Sequence, residues 1–318
     1  LENGYMVYMP TIVNVVPTYN DETKEWELQD QNVVIKATKT SISKTITDEV
    51  KKKDNYSSKD EFTYTIKADV PKYLENSLSK RYKIIDKMDD SIKLNDESIK
   101  IYGIKNGENE TIINDYTLNL NTQIAGYGIV AFIVDFDYSK ISKYDTIKIV
   151  YSASLVKDGN LIIGKEGNNN YAVLEYANNP YSKTDYQIQE TPRRKVYTYG
   201  MTIESVDKEN EKNLLPGSEF NVLDENGNIL YFKKYNDGVY FQTNSDDQDA
   251  VTNVSVDKNG YLYLKGFDEG TYNIKQAKAP EGYQISRKIY QMNLSDSNLD
   301  GELDEECKLV FKNSKGYI

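Results

Sequence analysis

The residues of this chain that could do chemistry are polar side chains in phase with apolar neighbours two positions away. They are Lys44 in SISKTIT, Asp86 in YKIIDKM, and Asn168 and Asn170 in GNNNYAVLEYA. Residues two apart on a strand share a face, so these side chains are predicted to point into a core. A lone buried lysine is unfavourable, but a lysine, a carboxylate and a carboxamide buried together can react. The carboxylate can shuttle protons while the amine attacks the amide carbon, which leaves a Lys–Asn isopeptide bond and free ammonia.

The composition favours β-structure and disfavours a conventional enzyme. The chain has 318 residues, which fits two domains and a fragment of a third. Its 28 tyrosines suit half-buried strands, whereas the absence of histidine removes the usual general base and the commonest zinc ligand. Outside the buried polar set, the sequence shows no convergent acids, nucleophile or metal ligands. We therefore predict no enzyme, only a single-turnover cross-linking of the chain to itself.

The net charge limits the classes of ligand that the chain can bind, and the hydropathy argues against a membrane span or a signal peptide. The formal net charge of -11 makes nucleic acid an unsuitable partner and divalent cations suitable ones. The single cysteine, Cys307, permits no internal disulfide. No apolar run approaches the length of a membrane span, and the first residues do not resemble a signal peptide. We expect a mature piece excised from a longer protein.

Turn signals divide the chain into three parts. Residues 1–31 are predicted to be a remnant of a preceding N-terminal domain or a linker strand, and residues 32–193 and 194–318 each carry a series of short alternating segments. In EFTYTIKADV the apolar residues share one face and the polar residues the other, which predicts a sheet with one wet side. The segment TDYQIQETPRRK is the expected join. We predict an all-β fold of two tandem β-sandwiches.

The motifs resemble the major, shaft-forming pilins of Gram-positive bacteria, which are assembled by sortase. In residues 32–193, SKTI, KDEFTYTIKADVP, YKIIDKMDD and EGNNNYAVLEYANNP have the order and rough spacing of a CnaA-like domain. In residues 194–318, LLPGSEFNVLDENG, GTYNIKQAKAPEGY and LVFKN resemble a CnaB-like domain. The resemblance covers nearly the whole chain and implies immunoglobulin-like sandwiches.

The resemblance also implies roles for the buried polar set of the CnaA-like domain. Lys44 is the expected amine, Asp86 the proton-shuttling acid, and Asn168 the acceptor, with Asn170 as the alternative because both lie in phase. Burial should raise the pKa of Asp86 and lower that of Lys44, so that the pair can exist as neutral acid and neutral amine. The alternative interpretation is a lysine that snorkels from a strand end and an aspartate in a turn.

The CnaB-like domain departs from its family pattern at two of three positions. Ser205 stands where the bonding lysine is expected, Gln276 stands where the catalytic glutamate is expected, and only Asn313 fits. With neither nucleophile nor acid, this domain is predicted to lack an isopeptide bond. The three side chains should instead form a neutral hydrogen-bonded cluster in the core.

A lysine that joins one subunit to the next is expected after Trp26, in a WxxxVxVYPKN-like stretch. The segment VVIKATK offers Lys36, at the nearer spacing, or Lys39 as the alternative, although no proline precedes either. Both also fit ordinary solvated lysines on a strand. The identity of the sortase acceptor therefore stays open between them.

An acidic segment near the end of the chain resembles a calcium loop. It carries oxygen-bearing side chains at alternate positions around Gly301, namely Asp296, Asn298, Asp300, Glu302 and Asp304. This spacing matches the early positions of an EF-hand loop, although Cys307 stands where the bidentate glutamate belongs and the flanks are strands. An acidic hairpin tip would look the same. Calcium is thus a candidate ligand, and no cofactor is otherwise required.

The resemblance implies a structural subunit of a covalently polymerised pilus shaft that supports adhesion and colonisation. Its expected partners are other copies of itself in a head-to-tail polymer and a pilin-class sortase, followed by minor pilins and host surface ligands. The expected location is the cell surface, in a pilus anchored to peptidoglycan. The alternative function is that of a pilus-tip or wall-anchored adhesin that binds a host ligand such as collagen.

Overall fold

The protein is built almost entirely from β-strands. A computed structural model describes residues 6–8, 12–33, 37–46, 54–107, 109–179 and 181–316, of which 6–8 and 37–39 are described for the backbone only. Within these ranges the strands form several antiparallel or mixed sheets, and the α-helical structure is a single turn, α1, at Tyr138–Ile141. No helix in the same ranges is long and apolar enough to cross a membrane. The predicted all-β class is confirmed.

Two short antiparallel strand pairings precede the sandwiches. The strands are β1 (Met6–Tyr8), β2 (Thr18–Asn20), β3 (Glu25–Glu27) and β4 (Ala37–Lys39). β1 pairs with β4 and β2 pairs with β3, both antiparallel. The rings of Tyr19 and Trp26 meet edge to face across β2 and β3, with centroids 5.3 Å apart, and Trp26 stays 69% exposed. The β1–β4 pairing crosses the predicted boundary between residues 31 and 32.

The first sandwich consists of eleven strands around one core. They are β5 (Ile42–Ile46), β6 (Glu61–Asp69), β7 (Tyr82–Met88), β8 (Ile92–Lys105), β9 (Asn109–Ile112), β10 (Thr117–Ile124), β11 (Gly128–Asp135), β12 (Thr146–Leu155), β13 (Asn168–Tyr176), β14 (Gln187–Glu190) and β15 (Arg194–Val196). One sheet has the order β5-β6-β12-β8-β9. The facing sheet has the order β10-β11-β7-β13, and β13 then pairs with β14 along one half and with β15 along the other.

The alternation of apolar residues decides which face of each strand enters this core. In β6, Phe62, Tyr64, Ile66 and Ala68 are buried, whereas Glu61 and Lys67 on the other face are exposed. Strands of the facing sheet contribute their own inward residues to the same cluster. Burial of apolar side chains between two sheets is the main stabilising contribution in a sandwich, so the sequence pattern fixes the layers.

The second sandwich follows the same logic with ten strands. They are β16 (Tyr199–Asp207), β17 (Glu219–Leu223), β18 (Tyr231–Asn236), β19 (Val239–Thr243), β20 (Ala250–Val251), β21 (Val254–Ser255), β22 (Tyr261–Phe267), β23 (Gly270–Lys278), β24 (Ile289–Leu294) and β25 (Lys308–Asn313). One sheet has the order β20-β18-β19-β22-β16-β25, with β25 parallel to β16. The facing sheet has the order β21-β17-β23-β24.

The join between the sandwiches lies later than residue 193. Residues of β15 were expected in the second sandwich, but they pair with β13, in the register Asn168 to Val196 and Asn170 to Arg194. The reason is that this half of β13 lies beyond the reach of β14, which pairs only from Val173 onward. The linker therefore supplies a strand to the first sandwich before the chain enters the second at Tyr199.

A loop of the first sandwich is held against the second. The backbone N–H of Ser58 donates to Gly266 O at 2.9 Å, and its hydroxyl donates to Gln242 O at 2.6 Å. Gly266 adopts a φ of +84°, and a Cβ there would lie 2.0 Å from Ser58 Oγ. Phe241 of β19 is part of the first sandwich's core. The two sandwiches thus share a packed junction.

Candidate cross-linking site

The predicted reactive residues come from both sheets of the first sandwich. Lys44 lies on β5, at the edge of its sheet, opposite Ile66 of β6. Asp86 lies on β7 and Asn170 on β13 in the facing sheet, where Asp86 pairs with Ala172. Since residues 170 and 172 share a face, Asn170 lies diagonally next to Asp86 on the inner side. The amine thus enters the core from one sheet and meets the acid and the amide of the other.

These three side chains are in direct contact and are shielded from water. Lys44 Nζ contacts Asp86 Oδ2, and it lies 2.5 Å from Asn170 Oδ1. The exposed fraction is 2% for Lys44 and 0% for both Asp86 and Asn170. The interpretation of Lys44 as a snorkelling strand-end lysine is therefore wrong, because its charged end lies in the core rather than in solvent.

Two tyrosines complete the surroundings of the amine. Lys44 Nζ lies 4.8 Å from the ring centroid of Tyr64 and 5.4 Å from that of Tyr151. The Tyr151 hydroxyl donates to Asp86 Oδ2 at 2.6 Å and accepts from Asn170 Nδ2 at 3.1 Å. Within the described residues, Asp86 Oδ1 has no hydrogen-bond partner. That oxygen is a free position for a proton.

Burial shifts both titrating groups toward their neutral forms. It lowers the pKa of Lys44 to about 8, although the nearby Asp86 carboxylate opposes the shift. Burial raises the pKa of Asp86, against the opposing effects of Lys44 and the Tyr151 hydrogen bond. A charged pair out of water and a neutral amine beside a neutral acid differ by one proton transfer. The neutral form is the one in which the amine has a lone pair for attack.

The asparagine that contacts Lys44 is Asn170, not Asn168. The Asn168 amide donates to Val196 O at 2.9 Å and to Ile162 O at 3.0 Å, and its oxygen accepts from Ile162 N at 3.1 Å. Those bonds fasten the loop before β13 to β15, and they bind the Asn168 amide to backbone groups rather than to Lys44. The preference for Asn168 is therefore corrected in favour of Asn170, because the two share a face but only one lies opposite Lys44.

The corresponding positions of the second sandwich form a neutral cluster. Gln276 Nε2 donates to Asn313 Oδ1 at 2.8 Å, and Asn313 Nδ2 donates to Ser205 Oγ at 3.0 Å. Ser205 Oγ lies 2.8 Å from Ser218 Oγ, and all of these side chains are buried. The set contains no amine and no carboxyl group. It can therefore form hydrogen bonds, but it has no amine to attack an amide and no acid to transfer protons.

Of the two candidate sortase acceptors, the structure describes one, and only its backbone. Lys36 lies outside the described residues. Lys39 is the last residue of β4, whose side chains are not described. Trp26, from which both spacings are counted, lies on the exposed hairpin of β2 and β3. The choice between Lys36 and Lys39 stays a prediction.

The acidic segment near the end of the chain uses its oxygens on its own backbone. Asp296 is buried, and its carboxylate accepts from Gly301 N at 2.7 Å and from Asp300 N at 3.2 Å. Asp304 accepts from the hydroxyls of Ser295 and Ser297. Across the described ranges, no three acidic, cysteine or histidine residues are grouped so that they could hold a metal ion. Calcium stays a prediction to which this arrangement adds no support.

Comparison with known proteins gives a family match and a curated relative. Residues 199–306 match the SpaA family, described as a prealbumin-like fold domain. The trypsin-resistant surface T6 protein of Streptococcus pyogenes serotype M6 is 26% identical to this chain over 86% of its length. The chain spans about half the length of that curated relative, 49% of it.

Solved structures extend the likeness to the fold of nearly the whole chain. The T6 backbone pilin of Streptococcus pyogenes superposes with a TM-score of 0.67 at 20% identity, over 98% of this chain and 78% of its own. A C-terminal fragment of the major pilin GBS80 of Streptococcus agalactiae gives 0.61 at 17% identity, over 87% and 100%. The major pilin subunit BcpA of Bacillus cereus gives 0.57 at 20% identity, over 98% and 82%. The resemblance of this chain to the backbone pilins of Gram-positive bacteria, first visible in its motifs, is confirmed in its sequence and in its fold.

Proposed function

We propose that this chain is a structural subunit of a covalently polymerised pilus shaft, and that its first sandwich cross-links itself through Lys44 and Asn170. The observation that carries the proposal is the buried contact of one amine, one carboxyl group and one carboxamide in a single core. Burying such a set is unfavourable unless its members satisfy one another. Formation of an amide bond would convert the basic Lys44 amine into a neutral amide nitrogen, which removes the unfavourable burial of a charged lysine.

The cross-linking step balances without any further reactant. Lys44 Nζ, as a neutral amine, attacks Asn170 Cγ while Asp86 donates its proton to the amide. Asp86 then receives a proton from the attacking nitrogen, and Asn170 Nδ2 leaves as ammonia. The Cγ–Nδ2 bond breaks, the Cγ–Nζ bond forms, and Asp86 ends protonated as it began. No oxidant and no cofactor is required.

The position of the bond suits a subunit that bears tension. β5 opens the first sandwich and β13 lies near its end, so that Lys44 and Asn170 are 126 residues apart in the chain. A covalent bond between them would transmit a tensile force along the fibre directly from β5 to β13, so that most of the first sandwich would not bear it. Force-induced separation of the two sheets would then require breaking an amide bond rather than hydrogen bonds.

The relatives favour a shaft subunit over an adhesin. The T6, GBS80 and BcpA structures are described as backbone or major pilins. By analogy, the partners of this chain are other copies of itself, a pilin-class sortase and minor pilins, on the cell surface of a Gram-positive bacterium. The acceptor of the link between subunits is Lys36 or Lys39.

The self-cross-link is tested by intact mass and peptide mapping. The purified protein should be lighter than its sequence by one ammonia, and a tryptic peptide containing Lys44 should be joined to one containing Asn170. Asp86→Asn should restore the full mass while preserving the side-chain volume. Lys83→Gln on the same strand, with its side chain on the outer face, is the matched control and should keep the link. An unmodified wild-type mass would refute the proposal.

The shaft linkage is tested separately with the full-length protein and its sortase. Lys36→Ala, Lys39→Ala and the double variant are compared as high-mass polymer ladders. We expect ladders to disappear in Lys36→Ala and to persist in Lys39→Ala. Ladders that persist in the double variant would place the acceptor elsewhere. This result is independent of the internal bond, which is measured on the monomer mass.

A further inference from the structure

We propose that Arg194 is a positioning residue for the cross-linking step, because it ties the strand that carries the amine to the strand that carries the amide. This inference rests on the proposed Lys44–Asn170 reaction. Arg194 lies on β15, where its backbone is paired with that of Asn170 on β13. Its side chain reaches the other sheet, and Nε donates a hydrogen bond of 2.7 Å to Lys44 O. A single residue thus contacts the backbone of both reaction partners.

The contact lies where the sandwich would otherwise be open. β5 is an edge strand of its sheet, with β6 on one side, and the β13–β15 pair forms an edge of the other sheet. An edge strand presents carbonyl groups that its own sheet does not use. The Arg194 Nε–H satisfies one of these, the carbonyl of the nucleophilic lysine itself, and so joins the two sheet edges at the reacting residues.

The contact of Arg194 with both strands is important because the amine and the amide lie on different sheets. A reaction between two such groups depends on holding them in contact, and small displacements reduce its rate strongly. On the β6 side, the backbone of Lys44 is held by its pairing with Ile66. Without Arg194, no bond among the described residues connects the backbone of Lys44 to the strand pair that carries Asn170. The side chain of Arg194 therefore fixes the distance across which Nζ must attack.

The neighbouring arginine provides a matched control. Arg193 has the same side chain one position earlier, but its guanidinium lies over the ring of Tyr171, 4.8 Å from the centroid. Tyr171 packs on the small apolar cluster separate from the main core, beside Ile85 and Val173. Arg193 thus contributes charge and bulk to the same linker without contacting Lys44.

The test follows the loss of ammonia with time in the full chain. Each variant is made by cell-free translation, quenched in acid at intervals and measured by intact mass, while trypsin resistance reports the folded fraction. Arg194→Met keeps the aliphatic stem and removes the donor, whereas Arg194→Gln places an uncharged N–H donor at the same distance along the side chain. We expect Arg194→Met to slow cross-linking about fivefold, the effect of one lost hydrogen bond, and Arg194→Gln and Arg193→Met to stay within about twofold of wild type.

Every outcome of this experiment either supports or overturns the positioning role of Arg194. Slow cross-linking in Arg194→Met with recovery in Arg194→Gln supports the positioning role. A wild-type rate in Arg194→Met overturns it, as does a Gln variant as slow as the Met variant, or an Arg193→Met variant equally slow. Loss of the folded fraction in Arg194→Met also overturns it, because Arg194 would then hold the fold rather than the reacting pair. If wild type loses no ammonia, the proposed reaction itself fails.

Discussion

The Tyr151 hydroxyl donates a 2.6 Å hydrogen bond to Asp86 Oδ2, and its oxygen also accepts from Asn170 Nδ2 at 3.1 Å. One phenol therefore touches both the acid and the nitrogen that would leave as ammonia. Its own pKa is raised well above the ordinary value, chiefly by burial and also by Asp86, so it remains a neutral donor. The contact holds the Asp86 carboxyl group beside the Asn170 amide, through the same oxygen, Oδ2, that contacts the Lys44 amine.

Replacing Tyr151 with phenylalanine should slow cross-linking without preventing it. The ring beside Lys44 is kept, while the hydrogen bond that orients the neutral acid is lost, which should reduce the rate by roughly fivefold, in line with about 1 kcal/mol for one hydrogen bond. The time course of ammonia loss measures the effect. Tyr82→Phe is the control, since Tyr82 is equally buried but bonds to Ala68 O. Equal rates in Tyr151→Phe and Tyr82→Phe would contradict this role.

The two asparagines should separate reaction from stability. Asn170→Ala should lose the cross-link and with it about 4 to 5 kcal/mol of unfolding free energy, by analogy with disulfides that close long loops. Asn168→Ala should keep the cross-link and lose about 1 to 3 kcal/mol, because it leaves the backbone groups of Ile162 and Val196 without their partner. Intact mass and denaturant titration provide both readouts. An unlinked Asn168→Ala would return the acceptor role to Asn168.

The faces of the strands could be predicted from the sequence, but the opposing residues could not. Alternation in YKIIDKM and GNNNYAVLEYA places Asp86, Asn168 and Asn170 on inner faces, and the structure agrees. Which asparagine meets Lys44 depends on the register of β13 against β7, in which Ala172 pairs with Asp86. A register between distant strands is set by long-range packing, so a period of two leaves both asparagines open.

The hydrogen-bond partners of Arg194 and of the acidic loop could not be predicted from the sequence either. The basic residues after Pro192 read as a linker, and nothing local indicates that they form an added strand on β13. The oxygen spacing from Asp296 to Asp304 suggested calcium, whereas the folded loop turns Asp296 onto the N–H groups of Asp300 and Gly301. Composition can name the donors and acceptors of a loop, but their partners are set by its backbone path.

The depressed pKa of Lys44 predicts a pH dependence in a variant that cannot cross-link. In Asn170→Leu, the folded state should release the Lys44 proton near pH 8, whereas the unfolded chain should hold it up to about 10.5. The unfolded state then binds more protons, so the unfolding free energy should rise between pH 8 and 10, by at most ~1.4 kcal/mol per pH unit for one proton.

The double variant Asn170→Leu/Lys44→Met removes this contribution. It lacks the titrating amine and keeps the buried tyrosines, which titrate at higher pH, and Asp86, whose pKa is raised by burial without an opposing lysine, so that its effect on the unfolding free energy falls rather than rises with pH. Denaturant titrations of both variants from pH 7 to pH 10 should therefore diverge as the pH rises. Parallel curves would mean that Lys44 keeps its ordinary pKa in the folded protein.

The junction between the sandwiches should depend on Gly266. A Cβ at this position would meet Ser58 Oγ at 2.0 Å, and the φ of +84° is itself unfavourable for alanine. Gly282→Ala is the control, because Gly282 has a φ of +82° but open space around a Cβ. Gly266→Ala should raise hydrogen exchange over residues 54–60 and cost about 1 to 3 kcal/mol more than the control. Equal exchange in the two variants would show that the junction tolerates the added group.

The second sandwich should be convertible into a cross-linked one. Asn313 already lies 2.8 Å from Gln276 Nε2 and 3.0 Å from Ser205 Oγ, so the three positions of a reactive set are in contact without reactive groups. Wild type should lose a single ammonia. Ser205→Lys with Gln276→Glu supplies an amine and an acid beside the Asn313 amide, and burial should push both toward their neutral forms.

We expect the double variant to lose a second ammonia and to join the peptide carrying residue 205 to that carrying Asn313. Either substitution alone should not react, because the acid without the amine has no nucleophile and the amine without the acid has no proton shuttle. The longer side chain adds bulk to a packed core, so partial conversion at a folding penalty of about 1 to 3 kcal/mol is expected. Adding Asn313→Ala must abolish the second loss. A second loss that survives it, or one found in wild type, would show that the bonding positions of this sandwich lie elsewhere.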